Sequence, residues 1–229
     1  MEREALILEL AYSIRQIGCA HPVRVAIDGV DASGKTMLAN ELAQQLRSAQ
    51  REVIQASVDD FHLPAEVRHR KGSLSPEGFY HDSYNYPALI KNLLVPLGPN
   101  GNRQYRTASF NLRRNRPVSP TLKTASDDAI LLVDGIFLLR PALLPYWELT
   151  IYIEADFSTT MARGIARDAK FFGSTEDAAQ RYRQRYVPGQ QLYHQEANPL
   201  DRADIIIDNN YLEAPKFLRQ LPNPLIKSQ

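Results

Sequence analysis

The chain has 229 residues, and its 27 lysines and arginines against 26 aspartates and glutamates leave a formal charge of +1. That length suits one α/β domain with insertions, and the charge balance argues against a dedicated nucleic-acid binder, which needs clustered cations. The single cysteine, Cys19, cannot close an intramolecular disulfide, and no apolar run reaches the roughly 18 residues of a membrane span.

Leu6, Ile7, Leu10, Ile14 and Ile17 recur at helical spacing among Glu2, Arg3, Glu4 and Glu9. This predicts an amphipathic helix within residues 1–20 and no signal-peptide core, so the chain is read as cytoplasmic. An apolar run from Val23 to Ile27 ends at Asp28 and is followed by a Gly-containing turn and a helix from Lys35 to about Ala49. Val53 to Val58 runs to Asp59, and Ala129 to Val133 runs to Asp134 and Gly135. Leu149 to Ile153 and Ala203 to Ile207 complete five predicted strands. Short buried runs alternating with helices predict a parallel sheet covered on both faces, with ligands beyond the carboxyl ends of its strands.

Two irregular segments interrupt the repeats: 60–86, rich in His, Pro, Gly and Tyr, and 98–127, which carries several arginines. Loops this long inside a compact domain are usually functional or disordered, and both are predicted to build an acceptor site. From Ala178 to Glu196, Tyr182, Tyr186, Leu192 and Tyr193 at near-helical spacing predict a buried face, with a break or kink at Pro188 and Gly189. The whole chain, 1–229, is read as one domain.

Gly29-Val30-Asp31-Ala32-Ser33-Gly34-Lys35-Thr36 is a complete GxxxxGK[ST] match between a strand and a helix. Backbone N–H groups and the helix N-terminus cradle phosphate in such a loop, the lysine reaches the β- and γ-phosphates and the threonine hydroxyl coordinates Mg²⁺. Gly29, Asp31, Ala32, Ser33, Gly34, Lys35, Thr36 and Met37 are therefore the predicted nucleotide site, and ATP and Mg²⁺ the predicted cofactors. Asp134 is placed like the acid of a Walker B strand, holding Mg²⁺ directly or through water; the alternative is a strand-ending turn before Gly135. Asp59, facing the γ-phosphate, can take the proton of an attacking hydroxyl; the alternative is that Asp59 and Asp60 cap a turn.

Arg103, Arg106, Arg113, Arg114 and Arg116 are either a subsite for an acidic acceptor or a solvated loop. His62, His69, His81 and His194 lack metal-ligand spacing and are read as polar or acceptor-lining groups. Phe79, Tyr80, Tyr84 and Tyr86 either wall an acceptor pocket or pack on the sheet.

The P-loop, Asp59-Asp60-Phe61-His62, Tyr80-His81-Asp82-Ser83-Tyr84, Tyr105-Arg106, Leu132-Val133-Asp134-Gly135-Ile136 and the Arg163 to Asp168 segment occur in one order over about residues 20 to 210. In that order the chain resembles the uridine kinase family, which belongs with phosphoribulokinases and bacterial pantothenate kinases. The resemblance implies an α/β P-loop NTPase three-layer sandwich with a five-stranded parallel sheet, acceptor-site insertions and a lid over 160–190. It implies Asp59 as general base, Asp134 beside Mg²⁺ and the acceptor sugar, Asp82 in the acceptor stretch and Tyr105 near a nucleoside base. Arg163 and Arg167 fall in the lid helix, closing over the triphosphate. Phe110 stands where the family has a base-contacting His, and Gly164 where it has a lid arginine.

The leading reading is an ATP-dependent kinase acting on a small-molecule hydroxyl, with Lys35, Asp59 and Arg167 catalytic and His62, Asp82, Tyr84, Tyr105 and Asp134 around the acceptor. The resemblance also allows a homo-oligomer. A kinase for pantothenate, a sugar or a phosphorylated metabolite, a nucleotide-dependent regulatory switch and a nucleic-acid-directed ATPase are the other readings. No Asn-Lys-x-Asp motif is present to read guanine.

Overall fold

The computed structural model describes residues 2–220; Met1 and 221–229, which the single-domain reading includes, lie outside the described residues. Six strands form the main sheet: β1 (Val23–Gly29), β2 (Val53–Ser57), β3 (Ile130–Asp134), β4 (Leu149–Glu154), β5 (Ile205–Asp208) and β6 (Lys216–Gln220). Their spatial order is β6-β5-β4-β1-β3-β2. The first five are parallel, as predicted, whereas β6 joins β5 antiparallel with a register shift between Phe217 and Arg219. The five-stranded expectation is therefore corrected to six. An edge strand needs one apolar face only, and Lys216, Arg219 and Gln220 left β6 without a continuous apolar run.

Side chains alternate across a strand, and here the alternation separates two cores. Val25, Ile27, Ile130, Leu132, Ile151, Ile153, Ile205 and Ile207 pack on one face against helices α1 (Arg3–Arg15) and α2 (Lys35–Ser48). On the other face, Ala26, Leu131, Val133, Tyr152 and Ile206 pack with Phe61, Phe137, Trp147 and Tyr193. Three layers result, and the helices on both faces start near the carboxyl ends of the strands. Register fixes those ends together: Asp134 pairs Ile27 on one side and Ser57 on the other.

The 60–86 segment folds around α3 (Pro76–Asp82) and returns through a bridge between His62 and Tyr84. The 98–127 segment forms two short antiparallel ladders, Gln104–Tyr105 with Lys123–Thr124 and Phe110–Asn111 with Arg116–Pro117. The lid region holds α4 (Phe157–Phe172), α5 (Thr175–Arg181), a π-turn Tyr182–Tyr186 and α6 (Val187–Ala197).

The break expected at Pro188 is absent. Pro188 falls in the first turn of α6, directly after the π-turn, where the shifted pairing accommodates a residue with no N–H. Gly189 serves close approach: a Cβ there would lie 2.7 Å from Phe79 Cδ1 of α3. Among the described residues no helix is long and apolar enough to cross a membrane.

Candidate active site

The P-loop joins buried β1 to α2 and curls through left-handed backbone at Ala32 (φ 58°) and Gly34 (φ 103°). A side chain at Gly34 would be strained, and its Cβ would sit 2.5 Å from Asn209 Nδ2. That amide donates to Ser33 O at 2.7 Å, so the turn after β5 props the loop from behind. Lys35 is nearly buried, and its Nζ donates to Val30 O at 2.7 Å. Burial pushes the Lys35 ammonium down, opposed by Asp31, Asp28, Asp134 and Asp59.

Thr36 Oγ1 donates to Asp134 Oδ2 at 2.6 Å across the strand ends. Burial raises the Asp134 carboxyl, while Thr36 and Lys35 draw it back. A hydroxyl and a carboxylate side by side are the hard oxygen donors that Mg²⁺ takes alongside phosphate. Ser33 Oγ is buried with no hydrogen-bond partner. An unpaired buried hydroxyl within the loop, beside Gly34, fits a cradle shaped for a polar group. The residues present therefore fit a Mg²⁺-nucleotide.

Asp59 lies in a tight turn, Val58–Phe61, directly after β2, and its N–H is capped by Ser57 Oγ at 3.3 Å. Its Oδ1 accepts the Tyr84 hydroxyl at 2.9 Å, and its carbonyl accepts His62 Nδ1 at 2.7 Å. The His62 and Tyr84 rings touch at 4.6 Å between centroids. Burial, together with Asp59, pushes the Tyr84 phenol well above its ordinary range, so it stays a donor. Burial pushes His62 down, opposed by Asp59.

One cleft of about 750 Å³ takes in both halves: Asp31 to Met37 except Ser33, then Asp59, His62, Tyr84 and Asp134, and the lid residues Arg163, Arg167, Asp168, Phe171 and Phe172. Arg163 reaches back to Asn209 O at 3.1 Å and Asn210 O at 2.6 Å, tying the lid helix to the turn after β5. Arg167 is held by Asp168 at 2.7 Å and Asp31 at 3.2 Å.

No family model matches the chain. It is 27% identical over 200 residues to a uridine kinase of Oceanobacillus iheyensis, across 81% of this chain and 86% of that protein. It is 23% identical over 148 residues to uridine-cytidine kinase B of Dictyostelium discoideum, a match spanning 65% of this chain and only 59% of that relative. Its fold matches the structure of a possible uridine kinase from Bacillus stearothermophilus with a TM-score of 0.71, at 23% identity, covering 90% and 99% of the two chains. The chain is thus similar to uridine kinases in sequence and shares the fold of P-loop kinases. A D-glycerate 3-kinase of Cryptococcus neoformans shares the fold at a TM-score of 0.58 and 12% identity, covering 94% and 97% of the chains.

The acceptor half of the cleft departs from what the resemblance implied. Asp82 is buried and paired with Arg70 at 2.6 Å, and it does not line the cleft. Tyr105 is buried in the larger core, also away from the cleft. The 98–127 segment lends only Leu112 and Arg113 to the lining. Arg103 pairs with Asp127 at 2.8 Å, Arg106 donates to Pro120 O at 2.9 Å and Phe110 is buried against its ladder. Asp60 is exposed and outside the lining.

Several residues of the candidate site escaped sequence reading. Asn209, Asp168, Tyr182 and Gln190 all grip the P-loop or its lid. Asp28, noted only as a strand end, is fully buried and accepts from Gly29 N at 2.7 Å, Leu139 N at 3.0 Å and Tyr193 Oη at 2.5 Å. The paired Asn209-Asn210 directly after a strand was the one local signal available.

Proposed function

We propose that this protein is an ATP- and Mg²⁺-dependent kinase that transfers the γ-phosphoryl group to a hydroxyl of a small metabolite, a nucleoside such as uridine or cytidine being the first acceptor class. The reading is carried by the shared cleft, whose lining includes the phosphate-loop residues Lys35 and Thr36 and the Tyr84-bound carboxylate of Asp59. The names of the curated relatives support the nucleoside class.

In this reading the backbone N–H groups from Asp31 to Thr36 hold the phosphates, and Lys35 exchanges Val30 O for phosphate oxygen. Thr36 and Asp134 hold Mg²⁺, which when bound neutralises charge on the β- and γ-phosphates. Tyr84 donates to Asp59 Oδ1, which leaves Oδ2 to take the acceptor's proton. The acceptor oxygen attacks the γ-phosphorus, its proton passes to Asp59, and the bond to the β–γ bridging oxygen breaks to release ADP. Arg163 and Arg167 belong to the lid, which excludes water and balances charge on the transferring group.

A second reading, an acceptor bearing a carboxylate or phosphate, is favoured by Arg113, which lines the cleft with no ion-pair partner among the described residues. The test is incubation with Mg²⁺, γ-labelled ATP and panels of nucleosides, sugars and hydroxy acids. Label should move to one hydroxyl class. Label recovered only as inorganic phosphate with every panel would favour a nucleotide switch instead.

A further inference from the structure

Tyr182 sits in the π-turn between α5 and α6, almost wholly buried, yet its hydroxyl reaches three charged side chains. It lies 2.6 Å from Asp31 Oδ2 in the P-loop, 2.9 Å from Asp168 Oδ2 and 3.2 Å from Arg167 Nη2 in the lid helix. A phenol has one proton to give, and the shortest contact gives it to Asp31. Its oxygen then accepts from Arg167. Burial, with Asp31, pushes the phenol far above its ordinary range, which keeps that proton in place.

Gly164 makes the arrangement sterically possible. A Cβ there would lie 2.1 Å from Tyr182 Oη and 2.2 Å from its Cζ, so any side chain larger than hydrogen would expel the ring. Gly164, where the resemblance implies a lid arginine, thus opens the space in which the hydroxyl stands. Gln190, two turns along from Tyr182, accepts the Asp31 N–H, so the same helical segment grips Asp31 from its backbone as well.

The guanidinium of Arg167 is therefore fixed on several sides. Asp168 takes Nε at 2.7 Å and Nη2 at 2.8 Å, Asp31 takes Nη2 at 3.2 Å, and the Tyr182 oxygen, its proton given to Asp31, accepts Nη2 at 3.2 Å. Asp168 is its neighbour in sequence and lies on the same helix, α4. Asp31, and Tyr182 through its bond to Asp31, refer the arginine to the phosphate loop.

We propose that Tyr182 is a positioning residue for phosphoryl transfer, its hydroxyl holding Arg167 of the lid in register with the P-loop. The proposal rests on the kinase reading above. An aligned cation acts on charge that develops in transfer, and misplacement by about 1 Å costs up to about a hundredfold in rate. The effect belongs to kcat, since removing an interaction made only in the transition state lowers kcat without raising KM.

The test compares Tyr182→Phe, Arg167→Ala and the double variant with the unaltered chain, measuring ATP-dependent ADP release, KM for ATP and thermal midpoint. Tyr182→Phe keeps the ring against Gly164 and should lower kcat about tenfold or more with KM for ATP within about twofold. In the Arg167→Ala background the same substitution should do nothing further, because both act through one guanidinium. A wild-type kcat in Tyr182→Phe, a shift in thermal midpoint alone, or losses that multiply in the double variant would overturn the proposal. Absence of ATP-dependent turnover in the unaltered chain would overturn the kinase reading, and the proposal with it.

Discussion

The Tyr84 hydroxyl donates to Asp59 Oδ1 at 2.9 Å, joining the end of the 60–86 segment to the carboxylate that follows β2. The contact orients the carboxylate and leaves one oxygen for an acceptor. Tyr84→Phe removes one hydrogen bond to a charged group and keeps the ring packed on His62. We expect kcat to fall about tenfold, the rate equivalent of about 1.4 kcal/mol, with ATP affinity unchanged. Steady-state kinetics alongside titration of a fluorescent ATP analogue checks this, and an unchanged kcat would show that Asp59 needs no such support.

Thr36 and Asp134 meet at 2.6 Å beside the phosphate loop. Substituting Thr36→Ala or Asp134→Asn should raise the Mg²⁺ concentration for half-maximal activity by more than about tenfold, the loss typical even of an outer-shell partner. Lys35→Ala should instead weaken nucleotide binding and turnover together. A Mg²⁺ titration of each variant at saturating ATP separates the two effects.

Burial holds His62, His69 and His194 below the ordinary imidazole pKa of 6.5. The unfolded chain then binds more protons than the folded one below that pH, so this part of the stability is present above it and lost as pH falls through the folded values. His194 Nε2 pairs with the Tyr152 hydroxyl at 2.7 Å, and burial keeps that phenol a donor, so protonation of the ring takes away the acceptor of the phenol proton. Thermal midpoints should fall as pH drops below 6.5, and His194→Gln should flatten part of that slope. Parallel pH profiles for variant and unaltered chain would contradict the assignment.

The parts of this architecture that are contiguous in sequence were legible there. The P-loop, the five parallel strands and the acids at their ends depend on short runs whose periodicity and turn residues are local. The acceptor-side arrangement is not local: whether Tyr84 or Asp82 faces Asp59 depends on how a short helix turns, and Asp82 turns away to Arg70. Tyr182 carried only the signal of a buried aromatic, and burial alone does not say where a hydroxyl points. Pro188 signalled a break, yet the π-turn before it shifted the pairing and the chain stayed helical. β6 was missed because an edge strand bearing Lys216, Arg219 and Gln220 has no apolar stretch to detect.

The central claim is that Asp59 takes the proton of an acceptor hydroxyl opposite a phosphate loop. ADP release by the unaltered chain and by Asp59→Asn, measured with Mg²⁺-ATP with and without acceptor, tests it most directly. The account predicts release that depends on one class of hydroxyl acceptor and falls by about a hundredfold or more in Asp59→Asn, with the affinity for ATP retained. Slow release at the same rate in both proteins, indifferent to every acceptor, would contradict it.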